Sequence, residues 1–337
     1  MRTINKTAAA VAVALLFSHT GLVAADEAAP AAKPVTEQLV DTLTTLAHGP
    51  YKGFRANHAK GILVEGSFTP SPQAGEISKA PHLQGAASPV LVRFSNGTGV
   101  PTIADADANA VPKGMAIRFT LPDGSNTDIV AISVNGFPAA TPEEFLGLLN
   151  AVAASGPDAP SPKPVEQFLV THPAAMKFVS TPKPAPVSFA TQSYFGVNAF
   201  AFTNAKGETR YGRYRIVPVA GEHHLTAEEA GKQGPNCLME ELPARLGKET
   251  ASYRLLVQLA NPGDTVDNGT VVWPDDRKVV ELGVLTLKTA VVDSKQAEKT
   301  IMFNPLLLPD GIAASNDPIL LARPAAYAVS YGRRLAP

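Results

Sequence analysis

The segment MAIRFTLPDGSNTDIVAISV, residues 115–134, contains two runs of apolar and β-branched residues on either side of the turn Pro122-Asp123-Gly124-Ser125. Each run has the length of a strand, and the turn is too short for the helical crossover that parallel neighbours need. The segment therefore predicts a hairpin, and hairpins build antiparallel sheets.

The same pattern recurs on both sides of this hairpin. A second turn, Asn204-Ala205-Lys206-Gly207, joins two further runs. The predicted strands cover Gly61–Thr69, Pro89–Asn96, Met115–Leu121, Asp128–Val134, Ser193–Thr203, Thr209–Pro218 and Ser252–Ala260. Together they predict an α+β fold in which an antiparallel β-barrel, or a strongly curved sheet, carries flanking helices.

Capping residues mark the starts of the helices. Thr141-Pro142-Glu143-Glu144 places an N-cap, a proline at the first helical position and a glutamate at the third in front of an apolar face. Further helices are predicted over Pro164–Val170, Thr226–Gly231, Met239–Leu246 and Pro318–Arg334. In the last of these, Pro324 is expected near the start or at a kink, which places Arg323 in the first turn or just before it.

The first 25 residues have the order of a secretory signal peptide, with Arg2 and Lys6 ahead of an apolar run and a small-residue cleavage site. The apolar run, Ala8 to Phe17, is too short to span a bilayer, so a cleaved signal is favoured over an uncleaved membrane anchor. We expect a soluble periplasmic protein with no membrane attachment after cleavage.

Residues 26–44 are expected to form a flexible lead-in, and residues 45–337 a single domain, because no linker-like tract divides them. The lone cysteine, Cys237, cannot form an internal disulfide. With 29 Lys and Arg against 30 Asp and Glu, the chain lacks the cationic excess of a nucleic-acid-binding protein. Common nucleotide, zinc and serine-hydrolase motifs are absent from the sequence.

Three polar residues lie on one face of the predicted C-terminal helix. Arg323, Tyr327 and Arg334 are spaced by four and seven residues, which at about 100° per residue forms a single stripe. A guanidinium beside a phenol favours the phenolate, which binds ferric iron well. The alternative is a surface helix with solvated arginines and Tyr327 packed on the core.

Several blocks of the sequence resemble the haem catalases, in the same order. They are Arg55-x-x-His58-Ala59-Lys60-Gly61, Val92-Arg93-Phe94-Ser95, Lys113 to Phe119, Pro122-Asp123-Gly124, Asp128-Ile129-Val130, and Arg323-x-x-x-Tyr327 with Arg334-Leu335. The resemblance runs from about Thr45 to Pro337. Because the chain ends where a full catalase would continue, it is most similar to the shortened, exported, catalase-related peroxidases.

The resemblance implies a role for each matched position, with ferric haem b as the cofactor. It makes Tyr327 the proximal iron ligand, Arg323 its charge partner, His58 the distal acid and base, and Ser95 the residue that orients His58. The remaining residues would contact the haem. Its propionates would be bound by Arg55, Arg93 and Arg334, and its porphyrin would be contacted by Val130 and Phe137. Plain core packing is the alternative for the last two.

One position departs from the family pattern. The distal asparagine of typical catalases falls at Ile132, with Ser133 and Asn135 nearby. Loss of that donor should impair dismutation, which needs a second hydrogen peroxide, more than reduction of peroxide by an organic donor. The shortened chain implies an open haem edge and a monomer.

Three functions are compatible with these residues. The first is a haem peroxidase that reduces hydrogen peroxide or organic hydroperoxides with a small organic electron donor, and has weak catalase activity. The second is a hydroperoxide isomerase or dehydratase on the same scaffold. The third is a non-catalytic haem-binding protein outside the cytoplasm, in which Tyr327 binds the iron and His58 has no chemical role.

Overall fold

A computed structural model describes residues 32–336 of the chain. The expected signal peptide and the first part of the expected lead-in lie outside these residues. Within them, the strands β1 to β10 span Gly61–Pro70, Ser88–Ser95, Gly114–Thr120, Asn126–Ile132, Tyr194–Phe195, Phe200–Thr203, Thr209–Pro218, Ala251–Leu259, Val279–Ala290 and Ile312–Ala314. The helices α1 to α9 span Val35–Leu46, Ala74–Ile77, Pro142–Ala153, Pro164–Thr171, Pro173–Ser180, Ala227–Gly231, Cys237–Leu246, Ser294–Ala297 and Pro318–Leu335.

Eight of the strands close into an antiparallel barrel in the order β7-β5-β4-β3-β2-β1-β9-β8, with β8 returning to pair with β7. Strand β6 pairs with β7, and β10 pairs with β6. The predicted barrel, its flanking helices and the hairpin of residues 115–134 are therefore confirmed. At the hairpin turn Gly124 adopts a φ of 82°, a conformation that glycine reaches without steric cost.

The strand predictions were incomplete. The segment Ser193–Thr203 forms two short strands, β5 and β6, rather than one. Strands β9 and β10 were not predicted, although in β9 Leu285 and Leu287 are both fully buried and follow the alternation of a strand. Gly283, with a φ of 151°, interrupts the pattern at a β-bulge opposite β8.

The barrel interior is filled by side chains and forms the main core. Residues at alternate positions of β2, β3 and β4 point inward, as the period of two in a strand requires. Phe94 stacks on Phe189 with a centroid distance of 5.3 Å, and Phe68 meets Phe119 edge-on at the same distance. The barrel is thus a packed core, and any ligand must bind outside it.

The intervening positions of β2, β3 and β4 face outward and align in rows across the sheet. One row is Ser95, Gly114 and Ile132, and the next is Arg93, Ala116 and Val130. Side chains in such a row are direct neighbours. Strand register alone therefore brings together residues that lie in three separate blocks of the sequence.

Two helices differ from their predictions. Helix α1 begins at Val35, so the expected lead-in of residues 26–44 contains ordered helix rather than flexible chain. Helix α9 begins at Pro318 after an Asp317 cap, so Pro324 lies inside it and Arg323 is in the second turn. Among residues 32–336, no helix has the length and apolar character of a membrane span.

Candidate functional site

A cavity lies between the outer face of β2, β3 and β4 and the inner face of α9. Its empty space is about 1510 Å³, including the part open to solvent. The cavity is lined by all nine residues that the sequence singled out: Arg55, His58, Arg93, Ser95, Val130, Phe137, Arg323, Tyr327 and Arg334. The outward strand rows and the helical stripe thus face each other, and the surface-helix alternative for Tyr327 is wrong.

His58 and Ser95 form one polar pair in this cavity. The Nδ1 atom of His58 lies 3.0 Å from the Ser95 hydroxyl. His58 adopts a φ of 53°, an uncommon backbone conformation for a residue with a side chain, and its carbonyl accepts a hydrogen bond from Arg93 at 2.9 Å. A side chain on Gly114 would leave no room for the ring, because a Cβ there would lie 2.8 Å from Nδ1.

His58 is electrically neutral at physiological pH. Burial, reinforced by the positive charges of Arg93, Arg323 and Arg55, lowers the pKa of His58 to about 3. A neutral imidazole with Nδ1 engaged at Ser95 presents its other nitrogen, Nε2, as a hydrogen-bond or proton acceptor. The site thus holds a base that is ready to accept a proton.

Tyr327 lies at the end of a chain of hydrogen bonds that begins at the N-cap of α9. The Asp317 carboxylate accepts a bond from the Asn198 amide at 2.8 Å, and the Asn198 oxygen accepts one from Arg323 at 2.8 Å. Arg323 Nε in turn donates to the Tyr327 hydroxyl oxygen at 2.9 Å. The guanidinium is therefore fixed beside the phenol oxygen, as the sequence predicted.

Three guanidinium groups line another part of the cavity, and two of them share one carboxylate. Arg55 and Arg93 both form ion pairs with Glu298, the former at 3.1 Å, while Arg334 donates to the Ile301 carbonyl at 3.0 Å. Three positive charges against one negative charge leave a surplus of two. Burial and the neighbouring Arg93 lower the pKa of both Arg55 and Arg334, and the buried Nε of Arg334 has no partner among the described residues.

Apolar side chains form the rest of the cavity wall. Val130 and Ile132 project from β4, Phe137 follows that strand and contacts the Phe145 ring at a centroid distance of 5.0 Å, and α1 adds Leu39. Ser133 and Asn135 are not among the lining residues, and the Ser133 hydroxyl accepts the Lys113 N–H at 2.9 Å. The register therefore places Ile132, and not Ser133, next to Gly114 in the outward row that begins at Ser95.

These residues fit a flat apolar group that carries two anionic arms and a metal. The apolar walls suit its faces, the surplus of two cationic charges suits the arms, and the phenol of Tyr327 suits ferric iron. Within residues 32–336 no group of three or more His, Cys, Asp or Glu side chains could hold a metal ion.

Several residues of the site were not predicted from the sequence. Glu298 and Asn198 lie in segments without a motif, and only the folded chain shows their partners. Asp317 could have been found, because an aspartate followed by Pro318 is a frequent helix start. The contribution of α1 was missed because the residues that precede it are rich in alanine and proline, and the prediction extended the lead-in over the helix.

Comparisons with known proteins agree with this geometry. The sequence matches the family described as Catalase over residues 38–337. A catalase-related peroxidase of Mycolicibacterium paratuberculosis is 36% identical over 297 residues, 87% of this chain and 93% of that protein. A catalase-related peroxidase of Synechococcus elongatus is 34% identical over 332 residues, 96% of this chain and 95% of that protein.

Solved catalases share the fold at lower identity. A fungal catalase superposes with a TM-score of 0.76 at 23% identity, covering 89% of this chain and 63% of its own. Catalase A from Saccharomyces cerevisiae gives a TM-score of 0.76 at 22% identity, covering 88% of this chain and 64% of its own. The chain thus spans less than two thirds of these full-length catalases.

Proposed function

The chain belongs to the catalase family, and on that premise we propose that it is a haem-dependent peroxidase. Its substrates are hydrogen peroxide or an organic hydroperoxide, together with a small organic electron donor. The observation that carries the proposal is the placement of a guanidinium-bound phenol, Tyr327, and a neutral imidazole, His58, in one cavity.

Each side chain has a defined task in this reaction. When bound, ferric haem supplies the two electrons that peroxide reduction consumes and regains them from the donor. Tyr327 holds the iron, with Arg323 balancing the phenolate charge, and the surplus cations of Arg55, Arg93 and Arg334 balance the propionates.

His58 performs the proton transfers. Its neutral Nε2 takes a proton from the oxygen of the incoming peroxide and returns it to the oxygen that leaves as water or alcohol. Ser95, at 3.0 Å from Nδ1, fixes the direction of the ring. Because burial lowers the pKa of His58 to about 3, the ring is unprotonated before the peroxide enters, and Nε2 can act as the proton acceptor.

The first test is the absorption spectrum of the purified protein and of Tyr327→Phe. We expect a ferric high-spin spectrum in the parent protein and loss of most haem in the variant. Tyr331→Phe is the matched control, since Tyr331 lines the same cavity but donates to the Thr300 carbonyl at 3.2 Å. Equal haem and identical spectra in the parent and in Tyr327→Phe would exclude Tyr327 as the ligand.

The second test is the partition of peroxide between donor oxidation and oxygen release. Ile132 cannot hold a second hydrogen peroxide by hydrogen bonding, so we expect donor oxidation to dominate. Ile132→Asn should raise the share of oxygen released per haem. Oxygen as the dominant product of the parent protein would show that it is a working catalase, and donor-independent loss of a lipid hydroperoxide would favour the isomerase.

We also propose that the protein is exported to the periplasm. The support for export is the basic start, apolar run and small-residue cleavage site of residues 1–25. Mass spectrometry of the protein from the periplasmic fraction should give a mature N-terminus at Asp26. An intact N-terminus, or recovery with the membranes, would contradict cleavage.

A further inference from the structure

Two side-chain amides line the cavity within the described residues, Asn57 and Asn198. Both polar atoms of Asn198 are engaged, the oxygen by Arg323 and the nitrogen by Asp317. The half-buried Asn57 amide forms no hydrogen bond to any described residue. It is therefore the uncommitted amide of the site.

Among the described residues, the hydroxyl groups of the cavity are either paired with His58 or lie on α9, the opposite wall. Ser95 is paired with His58 itself. Ser330 accepts the backbone N–H of Ala56 at 3.1 Å and lies on α9, the helix that carries Tyr327. Tyr331 donates to the carbonyl of Thr300.

The backbone around Asn57 is held on both sides. Before it, Arg55 binds the carbonyls of Glu298 and Ile301 at 3.1 and 2.9 Å, and Ala56 is bonded to Ser330. After it, the His58 carbonyl is bonded to Arg93. A donor on a segment fixed in this way loses little conformational freedom when it binds a ligand.

We propose that the amide of Asn57 binds the incoming peroxide and supplies, from the loop before β1, the hydrogen-bond donor that Ile132 cannot supply from β4. This inference rests on the proposed function. Asn57 Nδ2 donates to the peroxide oxygen whose proton passes to His58 Nε2, and so stabilises the negative charge that develops on that oxygen.

The test uses cyanide, a small anionic haem ligand, on the intact holoprotein. Hydrogen cyanide must lose its proton to His58 on entry, so its association rate reports His58, whereas its dissociation rate reports the donor that holds the bound anion. Asn57→Leu removes the donor at nearly constant size and Asn57→Gln keeps an amide. Asn109→Leu makes the same change at an exposed amide that does not line the cavity, and is the control.

We expect cyanide to dissociate about 3- to 10-fold faster from Asn57→Leu, the loss of roughly one neutral hydrogen bond, with its association rate unchanged. The rate of peroxide consumption should fall by a similar factor. Asn57→Gln should recover part of both losses, and Asn109→Leu should match the parent protein.

Three results would overturn the inference. Cyanide dissociation from Asn57→Leu at the parental rate would exclude contact with the ligand. A slower association rate alone would mean that Asn57 only positions His58. Loss of haem from both Asn57→Leu and Asn57→Gln would give the residue a structural role. A parent protein that binds haem but does not oxidise donors would instead refute the proposed function.

Discussion

Gly114 is the residue on which the closest contact of the site depends. A Cβ at this position would lie 2.6 Å from the Ser95 hydroxyl and 2.8 Å from His58 Nδ1, both well inside van der Waals contact. The outward row Ser95, Gly114 and Ile132 therefore has no side chain at its central position. The imidazole of His58 packs against the backbone there. Glycine is needed here for the space it leaves rather than for an unusual φ.

Gly114→Ala should displace the imidazole and slow the reaction with peroxide by about 10²-fold, since a shift of about 1 Å in a reacting group can have this effect. Haem binding should persist because Tyr327 is on the opposite wall. The measurement is stopped-flow peroxide consumption per haem. Gly332→Ala, where a methyl group meets only open space, is the control; equal rates for the two variants would contradict the packing argument.

His58→Ala should retain haem and react with peroxide about 10²–10⁴-fold more slowly, which is the usual contribution of general acid–base catalysis. A parental rate in this variant would assign the base to another residue.

The pH dependence of the parent protein tests the environment of His58 separately. With a pKa of about 3, the ring stays neutral as the pH falls, so the peroxide rate should be nearly constant between pH 7.5 and 5. A histidine with the ordinary pKa of about 6.5 would lose roughly 30-fold over the same range. A decline with a midpoint near 6.5 would show that the ring is solvated.

At the scale of elements, one residue at the start of α9 has two roles. Asp317 caps the helix and also supports Tyr327 through Asn198 and Arg323. Asp317 accepts the N–H groups of Ile319 and Leu320, which the first turn leaves without helical partners, and the same carboxylate holds Asn198. The position of the first turn is thereby linked to the position of Arg323. Any rotation of α9 would break both sets of bonds.

Asn198→Leu should weaken this link and leave buried donors and acceptors without partners, a cost of about 1–3 kcal/mol. We expect haem to leave the variant about 10-fold faster, because Arg323 is no longer fixed beside Tyr327. Transfer of haem to an apo-globin measures the rate. Asn150→Leu, at an exposed amide of α3, should leave it unchanged; equal rates in both variants would show that Arg323 needs no such support.

The sequence predicted the elements whose signal is local. The hairpin around Pro122 and the start of α3 at Thr141 were correct because turn and cap chemistry lies within a few residues. Strand β9 was missed because Gly283 interrupts its alternation of buried and exposed residues. Helix α1 was missed because the alanine- and proline-rich residues before it led to the prediction of a flexible segment. The partners Glu298 and Asn198 could not be predicted, since their contacts join residues far apart in the chain.

At the scale of the whole molecule, a second buried histidine makes the core sensitive to acid. His82 lies against the rings of Phe119 and Phe68, its Nδ1 has no partner among the described residues, and burial lowers its pKa to about 4. His82 takes up a proton at about pH 6.5 in the unfolded chain, but only near pH 4 in the folded protein. This contribution to stability is therefore complete above pH 6.5 and is lost as the pH falls toward 4.

His82→Phe should remove this pH dependence, on the order of 2–3 kcal/mol of unfolding free energy between pH 7 and 4. The measurement is the difference in urea midpoint between the two pH values, in the parent protein and in the variant. His223→Gln, at an exposed histidine, should behave like the parent. The same difference in all three proteins would place the acid sensitivity elsewhere.

The cavity is assembled from segments that lie far apart in the sequence, and this determines when a ligand can first be captured. Residues 55–58 and α1 supply one part of it and α9 another, with Arg333 bound to Asp41 at 2.6 Å where the two helices meet. A chain whose synthesis has not reached α9 lacks Tyr327, and with it one wall of the cavity. Under the proposed function, haem can be captured only after α9 has docked. The haem must then be present in the compartment where α9 docks.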